Sequence, residues 1–162
     1  MFETCFSCGG RHTEALGPVH PYMLSSASCW SAYGQVLEKE YSDARYWKNH
    51  RLTVDAYAVQ HPGGNCARSV QSVAVHLVSM YLVFERQLPQ NQVTQLLSRA
   101  TEFTFKWLEP PENLGSVNVG DILEVENHIE HNIIVERWAK SSFNAWEDHH
   151  KTIKEWAENV YT

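Results

Sequence analysis

The segment from His50 to Gly64, HRLTVDAYAVQHPGG, places two imidazoles, a phenol and a carboxylate close together in sequence. At about 100° per residue, His50, Val54, Tyr57 and His61 fall on one side of a helix, with His50 and His61 only about 20° apart in projection. Pro62 stops that helix, and Gly63 and Gly64 release the chain. Polar groups along an otherwise apolar helix are costly unless they are paired or put to use. His76, inside the most apolar stretch, and His149, on an apolar stripe near the C-terminus, add two more imidazoles at inward positions. Asp55, flanked by Leu52, Ala56 and Val59, reads as a buried carboxylate in need of an imidazole N–H, Arg68 or a metal. The expectation is therefore that His50, Asp55, His61, His76 and His149 converge on one polar cavity. Neutral imidazoles with a carboxylate suit divalent zinc, iron or nickel, which would activate a water for hydrolysis with a free histidine or Asp55 as proton acceptor.

A second constellation is CFSCGG, where Cys5 and Cys8 are spaced to bind one ion and the glycines permit a tight turn. A structural zinc site needs four ligands. Cys29 supplies a third, at the start of a helix whose dipole favours a thiolate. His20 is the expected fourth, with His12 as the other nearby histidine. If the knuckle folds back on the helices, His61 or His149 could complete a mixed site. A dithiol redox role is disfavoured because no strand pattern precedes the motif. Cys66 reads as a packed thiol rather than a nucleophile. Glu147 and His150 form one ExxH, and no second ExxH accompanies it to make a di-iron site. No GxSxG elbow and no P-loop occurs.

These groups must be positioned by helices. Ser25 or Ser26 can cap a first helix through about Tyr41, Asp43 a second ending near His61, and a third spans about Ala67 to Gln87. The third is apolar on every side from Val73 to Phe84, which marks it as the central helix. A short helix covers roughly Asn91 to Ala100. Trp107 to Asp121 is a Pro/Gly-rich crossover passing outside the third helix. After a turn near Ile122, one long helix runs from about Glu130 to Val160, with its stripe at Ile134, Trp138, Ser142, Ala145, His149, Ile153, Trp156 and Val160. No alternating strand pattern is visible. The expected fold is all-α: a single domain over 1–162, with an irregular zinc-knuckle-like segment (1–24) ahead of a bundle of four to five helices (25–162).

The net charge is −6, and 43% of the 162 residues are hydrophobic, so the chain can bury a substantial core. Residues 1–100 carry eight basic and seven acidic groups, whereas 101–162 carry five and twelve. An acidic C-terminal part argues against nucleic acid as a partner. The apolar run around His76 is too short for a membrane span, and no signal peptide opens the sequence, so a cytoplasmic protein is expected.

CFSCGG, GPVHPY, SCWSAYG, HRLTVDAYAVQHPG, RSVQSVAVHLV, WLEPP, NVGDIL and the terminal W..HH..I..W together resemble a family of small uncharacterised bacterial proteins. The resemblance covers nearly the whole chain. It implies that Cys5, Cys8, His20, Cys29, His50, Asp55, His61, His76, His149 and His150 occupy the family's patterned positions, and it brings no activity with it. Two functions follow from the residues. One is a small metal-dependent, hydrolase-like enzyme acting on a small molecule. The other is a non-catalytic, zinc-stabilised helical module that binds or regulates a partner.

Overall fold

Of the two serines able to cap the first helix, Ser26 does so, its hydroxyl accepting from the Cys29 amide at 3.1 Å. The computed structural model describes all residues, 1–162. Strands β1 (Phe2–Thr4) and β2 (Arg11–Thr13) form an antiparallel hairpin with Glu3 opposite His12. Seven helices follow: α1 (Ala27–Ser42), α2 (His50–Gln60), α3 (Ala67–Phe84), α4 (Gln90–Leu97), α5 (Val119–Glu124), α6 (His128–Asn144) and α7 (His150–Tyr161). The protein is thus a mostly α single domain with an irregular N-terminal segment.

Three elements differ from the sequence reading. The hairpin was not visible because three-residue strands are too short to show alternation. Asp43 caps a single 3-10 turn, Ala44–Tyr46, and α2 begins only at His50. The expected long C-terminal helix is broken into α6 and α7. At the break the buried Trp146 turns inward and its indole Nε1 donates to the Val59 carbonyl at 3.1 Å. That carbonyl lies at the C-terminal end of α2, where helical partners run out. His150 holds the other side of the bend through Nε2 to the Phe143 carbonyl at 2.8 Å.

The central helix is α2, not α3. It packs against both α3 and α6, and eight of its eleven residues are buried, against seven of eighteen in α3. At 18 residues α3 is the one helix long and apolar enough to cross a membrane by length and composition, longer than the apolar run alone suggested; 44% of it is buried within the fold. It separates two apolar clusters. The larger holds Cys5, Cys29, Tyr57, Leu77, Trp138 and Trp146, and the smaller joins α3, α4 and α7 through Val78, Val93 and Val160. The start of the crossover segment does lie beside α3, with Trp107 and Leu108 near Val70 and Val73. Farther on, Gln60 ties it to the centre: its Nε2 donates to the Leu114 and Val117 carbonyls at 3.1 and 2.6 Å, while its Oε1 accepts from Trp138 Nε1 at 2.8 Å.

Candidate metal centre

The turn between β1 and β2 is CFSCGG. The Cys5 amide donates to the Gly10 carbonyl at 2.8 Å and the Gly9 amide to the Cys5 carbonyl at 2.9 Å, closing the knuckle. Gly9 sits at φ 74°, a conformation in which a Cβ would be strained. The Gly10 N–H donates to Cys8 Sγ at 3.3 Å, so a backbone dipole already faces that sulfur. A strand does precede the CxxC, contrary to expectation, but the chain leaves as a second strand rather than as the helix a dithiol redox motif would open.

Cys29 enters from the first turn of α1, and His61 from the residue that ends α2. Cys5 Sγ, Cys8 Sγ, Cys29 Sγ and a ring nitrogen of His61 all lie within 4.8 Å of one another. Cys8 and Cys29 sulfurs are 3.9 Å apart, nearly twice a disulfide bond of about 2.05 Å. His61 Nε2 stands 3.4 Å from Cys29 Sγ. The opposite nitrogen, Nδ1, is 2.7 Å from the Tyr57 carbonyl one turn back. A carbonyl can only accept, so Nδ1 carries the proton and Nε2 turns its lone pair toward the three sulfurs. Tyr57 braces the arrangement, its ring stacked on His61 at 3.9 Å and its hydroxyl donating to Cys29 Sγ at 3.5 Å. These four side chains form a Cys3His set that can hold a metal ion.

The thiols alone make a poor electrostatic match. Hydrogen bonding from Cys29, then Cys8, pulls Cys5 down despite burial. The Cys29 contact also draws Cys8 downward, but Cys5 and burial prevail and push it up to about 12. Contacts with Cys5 and Cys8, with burial, push Cys29 up. Three crowded thiols oppose one another's ionisation, and a cation among them would favour the thiolate form of all three.

His20 is not in this set. Its Nδ1 accepts from the Tyr22 and Met23 amides at 3.2 and 3.1 Å, so it organises the loop that follows the knuckle. That loop is tied to the centre through its backbone, where the Leu24 amide donates to the His61 carbonyl at 3.1 Å. His12 is also absent from the set; it is buried beside Gly10 and Asn118. Cys66 is exposed rather than packed, with Ser69 drawing its thiol down.

Nor do the histidines share one cavity. His50 Nδ1 bonds Glu40 Oε1 at 2.8 Å, His76 Nδ1 bonds Asp55 Oδ1 at 2.7 Å, and His149 Nε2 bonds the Glu109 carbonyl at 2.8 Å. His50 and His61 share an angle on α2, but eleven residues separate them by about 16 Å along its axis. Two buried carboxylates organise this polar interior instead. Glu40 accepts from His50, from His131 Nε2 at 2.7 Å and from the Thr53 hydroxyl at 2.7 Å. Asp55 accepts from His76 and from the Ser79 hydroxyl at 2.5 Å, with Arg51 Nε at 3.4 Å. Sequence reasoning passed over both Glu40 and His131. The signal was there: Cys29, Tyr33, Val36 and Glu40 recur at threes and fours on α1, which places Glu40 on the buried face.

The profile of a family of unknown function, DUF5946, matches residues 3–147. The chain belongs to that family. The match takes in all four residues of the Cys3His set and both buried carboxylates. No curated protein and no solved structure matches the chain.

Proposed function

We propose that the protein is a zinc-stabilised helical module in which the Cys3His ion is structural, joining the N-terminal knuckle to α1 and to the end of α2. The carrying observation is the ligand geometry. Around a tetrahedral zinc, with bonds of about 2.3 Å to sulfur and about 2.0 Å to nitrogen, sulfurs stand about 3.8 Å apart and sulfur and nitrogen about 3.5 Å apart. The separations of 3.9 Å between Cys8 and Cys29 and 3.4 Å between Cys29 and His61 fit that figure. A thiolate-rich set favours zinc over harder divalent ions. Four protein ligands fill a tetrahedral shell, as in structural sites, and leave no position for a catalytic water. Thiols kept as ligands suit a reducing compartment such as the cytoplasm. The net charge of −6 disfavours a nucleic-acid partner, leaving a protein or small molecule as what the helical surface engages. Protein purified without an affinity tag should carry one zinc per chain, and a strong chelator should remove it with a fall in melting temperature. A metal-free protein whose melting is indifferent to chelator would overturn the proposal.

A second reading, hydrolase-like acid–base chemistry, is favoured by the Asp55–His76 pair. Asp55 is fully buried and receives His76 Nδ1–H, so the free Nε2 of the part-exposed imidazole is the basic atom, beside a surface hollow lined by Tyr22, Arg68 and Ser72. Hydrolysis of an activated ester such as p-nitrophenyl acetate should then be lost in His76→Gln while the zinc stays bound. Hydrolysis unchanged in His76→Gln would remove this reading.

A further inference from the structure

Between the start of α2 and α4 lies an open cleft of about 650 Å³, within the range of small-molecule sites. Its charged lining groups are Lys48 and Arg51, in a chain whose net charge is −6, and no carboxylate lines it. Its other walls include Trp47, His50, Val54, Thr94 and the amide-bearing side chains of Gln90 and its neighbours on α4.

The polar heads are held from behind. Arg51 Nε donates to Ser79 Oγ at 3.0 Å and lies 3.4 Å from Asp55 Oδ1, which fixes the guanidinium and leaves its terminal nitrogens uncommitted to that network. His50 is held by Glu40 through Nδ1 and stacks on Trp47 at 3.9 Å, so Nε2 is its free nitrogen. Asn49, in the cap position of α2, does not cap: its Nδ2 donates to the Asn132 carbonyl at 2.8 Å and its Oδ1 accepts from Gln90 at 2.9 Å. The His50 amide donates to the Trp47 carbonyl at 3.0 Å, so the Arg51 and Leu52 amides are the donors left open at the positive end of the helix, beside two cations.

With cations forward and carboxylates behind, a bound cation would find no anionic ligand here and would face Lys48 and Arg51, and an apolar ligand would desolvate both. We propose that the cleft binds a small phosphate-bearing anion, contacted by Lys48, the terminal nitrogens of Arg51 and the first turn of α2, with His50 Nε2 sharing a proton with it. A planar guanidinium pairs two phosphate oxygens at once, and a dianion uses both cations where a monocarboxylate uses one. The zinc site plays no part in this binding.

The test is an NMR titration of the full-length, metal-loaded chain with inorganic phosphate, in parallel with acetate. The His50 imidazole and the Lys48–Arg51 amides should shift saturably with phosphate, while His128 and His149 stay in place. Lys48 is exposed, so Lys48→Glu should fold normally and weaken binding by roughly tenfold or more. Shifts that do not saturate by tens of millimolar, that spread over the surface histidines, that survive Lys48→Glu unchanged, or that acetate reproduces at the same concentration would each overturn the proposal.

Discussion

His61→Ala should strip the ion from the protein, and His20→Ala should not. His61 is fully buried, its Nε2 faces the Cys29 sulfur, and its Nδ1 proton is pinned on the Tyr57 carbonyl, so no neighbour can take its place. Because metal-binding free energy is folding free energy in such a site, losing one ligand should cost about 3–5 kcal/mol. For a chain of this size that is about 10–15 °C in melting temperature. The hairpin, with strands of three residues, should lose its amide protection because so short a ribbon does not persist alone. Helical circular dichroism should largely remain, since the bundle's own core does not depend on the ion. His20→Ala removes an acceptor for two loop amides and a ring packed against Tyr22 and Trp30, and should keep full metal content. Equal metal loss in both variants, or none in either, would contradict the assignment of the fourth ligand.

Glu40→Ala should be the most damaging single change outside the metal centre. It leaves the fully buried His131 Nε2 and His50 Nδ1 without an acceptor, and the Thr53 hydroxyl with only the long 3.5 Å contact to the Asn49 carbonyl. Breaking a buried charged network by removing one partner costs about 3–5 kcal/mol. Glu40→Gln should cost less, about 1–2 kcal/mol, because its carbonyl oxygen still accepts and His131 can shift its proton to Nδ1, which has no partner in the native network. Burial alone would push the Glu40 carboxyl up, but the hydrogen bonds from His131, then His50 and Thr53, outweigh it and hold it below the usual carboxylate range. A depressed folded-state value gives stability that is complete above the ordinary carboxylate pKa of about 4.3 and is lost as pH falls through the folded value. Urea unfolding measured at neutral pH and again below about pH 4 should therefore show a smaller acid loss in Glu40→Gln than in the parent. A Glu40→Ala protein within about 0.5 kcal/mol of the parent, as for an ordinary surface change, would mean the network contributes little.

Local signals carried α1, its serine cap and the start of α3, because capping residues and 3.6-residue periodicity report directly on helices. They failed where tertiary contacts decide. The α6–α7 break has no proline or glycine to announce it; it arises because Trp146 meets a free carbonyl at the end of α2. Three of the four residues in the set that can hold a metal, Cys5, Cys8 and Cys29, were legible from thiol spacing and a helix start. The fourth was assigned to His20 by nearness in sequence, whereas the fold brings in His61 from 32 residues beyond Cys29. Of the four histidines expected inward, only His61 is fully buried, while His50, His76 and His149 are part-exposed. The expected convergence failed because a helical projection reports angle and discards distance along the axis. Asp55 was rightly placed in the interior, and of the partners the sequence offered, an imidazole, Arg68 or a metal, it takes an imidazole, that of His76, together with Ser79 and Arg51.

Zinc K-edge X-ray absorption on tag-free protein addresses the centre most directly, because it counts sulfur and nitrogen ligands without requiring a variant to fold. One ion per chain with three sulfurs at about 2.3 Å and one nitrogen at about 2.0 Å is the expected result. A first shell dominated by nitrogen and oxygen would place the metal among the histidines and carboxylates instead, and would contradict a Cys5–Cys8–Cys29–His61 centre.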